Sequence, residues 1–258
     1  MAFLQIQCHS STLQMAISLQ AIVPQPTNGS EVGIASGTKR AQYPVLYLLH
    51  GMSDDETIWC RRTSIERYAA GRDLVIVMPN VHRSYYIDMH HGPRYWTLIS
   101  EELPELAAHF LPISQRREDT FVAGLSMGGY GAFKLGICRP GQFAAAASLS
   151  GALSPGSFKN SSGARSAEWL NTFGSAQLFK ESENDLHAQL QKRVNEGTEL
   201  PRLWQHCGTE DFLYEHNVDS RNEAQRLGVP LAYSEGPGDH SWGLWDEQIQ
   251  NVLDWLPL

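Results

Sequence analysis

The chain has 258 residues, with 28 acidic and 20 basic side chains, a net charge of −8 at neutral pH and a pI near 5.7. Hydrophobic residues make up 42% and charged residues 19%, which suits a globular chain with a sizeable core and excludes a disordered one. There is no basic block to attract nucleic acid or an anionic membrane surface, and no apolar run of about eighteen residues to span a bilayer.

In chain order, the opening "MAFLQIQCHSSTLQM" lacks the basic cluster and apolar core of a secretory signal. The stretch "LQMAISLQAIVP" (13–24) partly alternates, as an antiparallel strand does. Residues 25–42, "QPTNGSEVGIASGTKRAQ", are rich in Gly, Ser, Thr and Asn and read as a surface hairpin or loop. The strand type then changes. "PVLYLLH" (44–50), "DLVIVMP" (73–79), "TFVAGL" (120–125), "AAAASLS" (144–150) and "RLWQHCG" (202–208) are mostly continuous apolar runs. Such runs suit parallel strands buried on both faces. Helices are predicted over 62–71, 98–110, 129–138, 217–228 and 244–256, with one more strand at "PLAYSEG" (230–236).

Residues 153–200 form a long polar insertion between two of the strands, read either as a lid or substrate wall or as an ordinary helical crossover. The alternation of strand and helix predicts an α/β fold. Its expected form is a three-layer sandwich on a mostly parallel twisted sheet, with antiparallel strands first, in a single domain over 1–258.

The four cysteines, Cys8, Cys60, Cys138 and Cys207, are widely spaced and contain no C-x-x-C pair. They read as free thiols of a reducing compartment, and a cytoplasmic location is expected. No H-E-x-x-H, no Cys/His pairing at ligand spacing and no phosphate-binding glycine loop occurs, so neither metal nor cofactor is expected.

At 124–128 the chain reads "GLSMG", between a predicted strand and a predicted helix. A serine hydroxyl held out by such a turn can act as a nucleophile, given a base, an acid to orient that base, and donors for a developing oxyanion. Ser126 supplies the hydroxyl; the alternative is a serine that merely caps the helix. Among ten histidines, His240 in "EGPGDHSWGLW" (235–245) follows the last predicted strand, where the base should fall. His206 lies inside a strand and reads as core or edge. His82, His90 and His91 lie in a polar loop, and His9, His109, His187 and His216 read as surface residues. For the acid, Asp211 in "CGTEDFLY" (207–214) stands just past a parallel strand and is preferred to Glu210, Asp239 and Asp246. The oxyanion donors are expected to be two backbone N–H groups. One belongs to Met127 at the helix start, the other to Met52 in "YLLHGMSDDETIW" (47–59), where His50 would brace the loop.

Taken together, "PVLYLLHGMSDDETIW", "LVIVMPN", "SYYIDM", "FVAGLSMGGYGAFKLGI", "AAAASLSGAL", "CGTEDFLY" and "GDHSWGLWDE" resemble the esterase D-like branch of the α/β-hydrolases. That branch includes S-formylglutathione hydrolases, tributyrin esterases, feruloyl and acetyl sugar esterases, and mycolyltransferases; the bacterial tributyrin or acetyl esterase type looks most similar. The resemblance implies an α/β-hydrolase fold and a serine carboxylesterase acting on short-chain acyl esters, with Ser126, Asp211 and His240 as triad. It implies Met52 and Met127 N–H groups at the oxyanion hole, and Tyr85 or Tyr86 with Trp242 along the substrate pocket. It also implies a small-molecule ester as partner and leaves room for a homo-oligomer. Residues 153–175 and the loop "HHGPRYW" (90–96) depart from the family pattern. So does "MSDDETIW", which differs from the formylglutathione hydrolases and favours a general esterase over them.

Overall fold

The computed structural model describes residues 1–26, 37–156 and 164–258. The expected surface loop at 25–42 falls largely on residues outside that description. So does the part of the polar insertion at 157–163.

Ala2–Ser10 (β1) and Met15–Val23 (β2) form an antiparallel hairpin in register from Ala2↔Val23 to Ser10↔Met15. Then follow Val45–Leu49 (β3), Ile58–Arg62 (α1), Ile65–Ala69 (α2) and Val75–Pro79 (β4). Tyr95–Thr97 (α3) runs through a π-helical turn at Leu98–Glu102 into Leu103–Phe110 (α4), and Thr120–Leu125 (β5) leads directly into Met127–Cys138 (α5). After Ala145–Leu149 (β6) come three helices, Ala164–Phe173 (α6), Ala176–Lys180 (α7) and Leu186–Asn195 (α8). Arg202–Gly208 (β7), Tyr214–Arg226 (α9), Leu231–Gly236 (β8) and Trp242–Trp255 (α10) complete the described elements.

Among the described residues eight strands make one sheet, in the order β1-β2-β4-β3-β5-β6-β7-β8. β2 pairs antiparallel with both β1 and β4, and the pairs from β4 through to β8 are parallel. This is the mostly parallel sheet with antiparallel strands first that the sequence predicts. β1 was not among the predicted strands.

Successive residues of a strand face opposite sides of a sheet, and helices cover both sides here. Leu46 and Leu48 of β3, with Phe121 and Ala123 of β5, pack towards Ile249, Val252 and Leu253 of α10. The alternating Tyr47, Leu49 and Val122 pack on the other side with Tyr130 and Phe133 of α5. Each fully buried leucine contributes roughly 1.5–3 kcal/mol of transfer free energy. That double burial explains why β3, β4 and β5 read as unbroken apolar runs.

β3 lies between β4 and β5, so the chain leaves β3 to one side and returns on the other. A crevice opens at the carboxyl ends of β3 and β5, where such a switch in direction leaves room for a ligand.

The single helix predicted at 62–71 is two short ones. Thr63 is extended between them, its hydroxyl donating to Trp59 O at 2.6 Å and accepting from Ile65 N–H at 3.1 Å. A hydroxyl that serves the backbone locally competes with the helical ladder. The other helices begin two or three residues earlier than predicted.

Candidate active site

Ser126 sits at the join of β5 and α5 with φ 53° and ψ −116°, a region costing a non-glycine residue on the order of 1–3 kcal/mol. Its backbone is pinned from three directions. Ser126 N–H donates to Leu149 O at 2.9 Å, while Ser126 O accepts from Tyr130 N–H at 3.1 Å and from Ala152 N–H at 3.0 Å. The turn needs small neighbours. A Cβ on Gly128 would lie 2.5 Å from Leu49 O and 2.7 Å from His50 O, and one on Gly124 would collide with the Gly128 carbonyl. Although Ser126 occupies the N-cap position of α5, its hydroxyl makes no capping hydrogen bond. It points elsewhere.

It meets His240, in the turn between β8 and α10, whose Nε2 is 3.0 Å from Ser126 Oγ. The other ring nitrogen, Nδ1, faces the Asp211 carboxylate at 2.8 and 3.0 Å. A carboxylate only accepts, so the proton resides on Nδ1 and Nε2 offers a lone pair to the serine hydroxyl. Asp211 lies in the turn after β7, its side chain fully shielded from solvent. Burial disfavours its charge, but hydrogen bonds from His240 and from Leu213 N–H at 2.8 Å outweigh that cost and hold the carboxyl below its ordinary range.

The loop after β3 closes over the serine: a Cβ on Gly51 would come 3.8 Å from the Ser126 Cβ. Among the described residues, neither the Met52 nor the Met127 N–H is taken by a protein acceptor. His50 is buried behind the loop. Its Nε2 accepts from Val81 N–H at 3.1 Å, so its proton is on Nδ1, which donates to Gly51 O at 2.7 Å. Burial pushes the His50 pKa down, and both nitrogens are engaged. Tyr86 is corrected here: it does not line the cavity but is wholly buried, its hydroxyl donating to His50 O at 2.9 Å. It supports the loop from beneath.

A cavity of about 520 Å³ opens above Ser126, with Met52, Tyr85, Trp169, Thr172, Phe212 and Trp242 among its walls. At its rim Arg83 and Glu168 form a two-pronged ion pair, with N–O distances of 2.5 and 2.8 Å. The weighed alternatives serve elsewhere. Glu210 accepts from Gly238 N–H, and Asp246 accepts from the Tyr68 hydroxyl and Ser64 N–H. His206 is buried in β7 against Ser234. His187 and His216, read as surface residues, are half-buried. Among the described residues no cluster of three His, Cys, Asp or Glu side chains forms a metal site.

Several walls escaped the sequence, Phe212 and Trp169 among them. Phe212 is 72% exposed with its ring 4.5 Å from the His240 imidazole, and its signal was an apolar residue directly after the candidate acid. Trp169 was a lone indole in a polar stretch, "SAEWLNTF" (166–173).

Fold and site together define a serine hydrolase of the α/β-hydrolase class. The family model described as "Putative esterase" matches residues 29–256, and the chain belongs to that esterase family. It is a carboxylic ester hydrolase, acting on small-molecule esters. It is 29% identical to an acetyl esterase of Caldicellulosiruptor saccharolyticus over 99% of this chain and 98% of that protein. The solved structure of FphF, a fluorophosphonate-binding serine hydrolase of Staphylococcus aureus, superposes with a TM-score of 0.88 at 34% identity. That match covers 99% of this chain and 98% of the other. An S-formylglutathione hydrolase, FrmB, from the same organism gives a TM-score of 0.85 at 35% identity with the same coverage.

Proposed function

We propose that the protein is a serine carboxylesterase that hydrolyses short-chain acyl esters through an acyl-enzyme, with Ser126 as nucleophile, His240 as general base and Asp211 as its orienting acid. The hydrogen-bonded chain from Asp211 through His240 to an uncapping serine at the cavity floor is the observation that supports it. His240 Nε2 takes the hydroxyl proton as Ser126 Oγ attacks the ester carbonyl. Asp211 holds the imidazole in the tautomer that accepts and stabilises the imidazolium that results. The carbonyl oxygen becomes an oxyanion, met by the Met52 and Met127 N–H groups. On collapse the alcohol leaves with the proton from Nε2. Water then adds to the acyl-enzyme by the same relay, releasing the acid and restoring Ser126.

Likeness to the acetyl esterase supports short acyl groups. In this reading residues 153–200 are a substrate wall within one domain, since α6 contributes Glu168, Trp169 and Thr172 to the cavity. The four free thiols support a reducing, cytoplasmic setting, and no described helix is long and apolar enough to cross a membrane. A second reading, thioester hydrolysis of S-formylglutathione, is favoured by the likeness to FrmB. Against it, Asp54 and Glu168 line the cavity beside one arginine already in an ion pair, a poor setting for a substrate bearing two carboxylates.

The deciding experiment compares p-nitrophenyl acetate, butyrate and octanoate, S-formylglutathione and an acetylated sugar, each with wild type and Ser126→Ala. Short esters should turn over best, and the variant should lose on the order of 10⁵-fold or more in kcat. A folded Ser126→Ala that keeps near-wild-type turnover removes the proposed nucleophile.

A further inference from the structure

A second cavity, of about 300 Å³, lies under the helices that follow β6, with Leu153, Ala176, Phe179 and Leu186 among its walls and Lys180, Asp185 and His187 also lining it. That is about twice the ~150 Å³ that accommodates a benzene ring in an apolar protein cavity. It adjoins the first one closely. Ala152 lines the cavity over Ser126 and its neighbour Leu153 lines the second. Among the described residues Trp169 alone lines both.

The rings around the site fall into two groups. Phe212 and Trp245 contact His240 at 4.5 and 4.8 Å, and Trp242 contacts Trp245 at 5.2 Å. Tyr85 contacts Phe173 at 5.2 Å, and Phe173 contacts Trp169 at 5.4 Å. No described ring contact joins the groups. In the proposed reaction His240 Nε2 delivers the proton to the leaving alcohol, which places the alcohol beside the first group and leaves the second for the acyl chain. The indole is fixed there: Trp169 is 6% exposed and its N–H donates to Pro155 O at 2.9 Å.

We propose that the Trp169 indole is the partition that ends the acyl subsite, separating it from a chamber whose apolar walls would otherwise accept the far end of a longer chain. This rests on the esterase reading above and adds to it the residue that sets acyl length. A short acyl group ends before the indole; a medium chain meets it. Removing the indole joins the two chambers, and a medium-chain tail can then leave water for the space beside Phe179 and Leu186.

The test is the ratio of kcat/KM for p-nitrophenyl octanoate to that for the acetate, read within each protein so that general losses cancel. In wild type the octanoate value should fall at least about ten-fold below that of the butyrate. Wild type that takes octanoate as readily as butyrate overturns the partition without any variant. Trp169→Ala and the milder Trp169→Leu should each raise the ratio about ten-fold or more. Adding Ala176→Phe to Trp169→Leu, which refills the second chamber, should return it, whereas Ala176→Phe alone should leave it unmoved. An unchanged ratio in folded Trp169→Leu rejects the partition. Fluorophosphonate labelling that survives Ser126→Ala would instead reject the esterase reading, so the two failures are separable.

Discussion

Lys134 of α5 is wholly buried, with its ammonium 2.7 Å from Asn184 Oδ1 and 4.1 Å above the Trp96 ring. Burial disfavours the charged form and pulls its pKa down to about 7 from the ordinary 10.5. In the unfolded chain the amine keeps its proton up to the ordinary value; in the native state it has lost it well before. Between these values the unfolded state binds more protons, so this group makes stability rise with pH, and below about 7 it contributes its full penalty. From pH 7 to 8.5 the gain works out at about 1–2 kcal/mol, at 1.36 kcal/mol per pH unit for a whole proton. The opposing titration of the unfolded cysteines, whose native thiols are pushed up to about 11 at Cys60 and Cys138, begins at the upper end of that window but is shared by wild type and a Lys134 variant, so it drops out of their difference. Urea midpoints at pH 7.0, 7.5, 8.0 and 8.5 for wild type and Lys134→Met measure the effect. The constant cost of stranding Asn184 cancels from the slope. Wild type should gain about 1–2 kcal/mol on the variant across the window, and two parallel curves would refute the buried-amine account.

Asp211→Asn should leave the fold in place and lower kcat about 10⁴-fold, because a carboxamide favours the wrong imidazole tautomer; stopped kinetics with p-nitrophenyl acetate read it, and a loss under ten-fold contradicts the assigned role. The same carboxyl, held below its ordinary range, adds stability above about pH 4 that disappears as pH falls through its native value, so acid unfolding of the asparagine variant should be shallower. His50→Ala strands the buried Val81 N–H and should cost about 1–3 kcal/mol in a denaturant melt, with kcat falling more than KM changes as the loop bearing Met52 loosens. Gly128→Ala drives a methyl group into Leu49 O and His50 O and should cost at least about 1–3 kcal/mol; a variant with unaltered melting and activity would show that the β5–α5 turn is not tightly packed.

What the sequence carried was set by burial. β3 to β7 lie where both faces are covered, so their apolar runs stood out, and the turns after β5, β7 and the edge strand β8 held Ser126, Asp211 and His240 in chain order. β1 escaped because it is an edge strand with mostly exposed positions, including Phe3 and Leu4, and so has no clean alternation to read. Tyr85 and Tyr86 were inseparable as neighbours in one motif. Both take left-handed backbone angles, φ 54° and 55°, and the turn sends one to the cavity and the other beneath the loop after β3. Trp169 reaches the cavity from a helix 43 positions beyond Ser126, a contact that depends on how α6 lies across the sheet and that no local pattern encodes.

His240 and Ser126 are separated by 114 residues, and His240 and Asp211 by 29. Each lies past the end of a different strand, β5, β7 or β8, so the proposed trio comes together only once that half of the sheet has formed. On the proposed mechanism a chain in which β8 has not yet docked carries an ordinary serine without its base. During refolding, ester turnover should appear only after far-ultraviolet ellipticity has recovered, which makes the reaction a natural reporter of when this chain is finished.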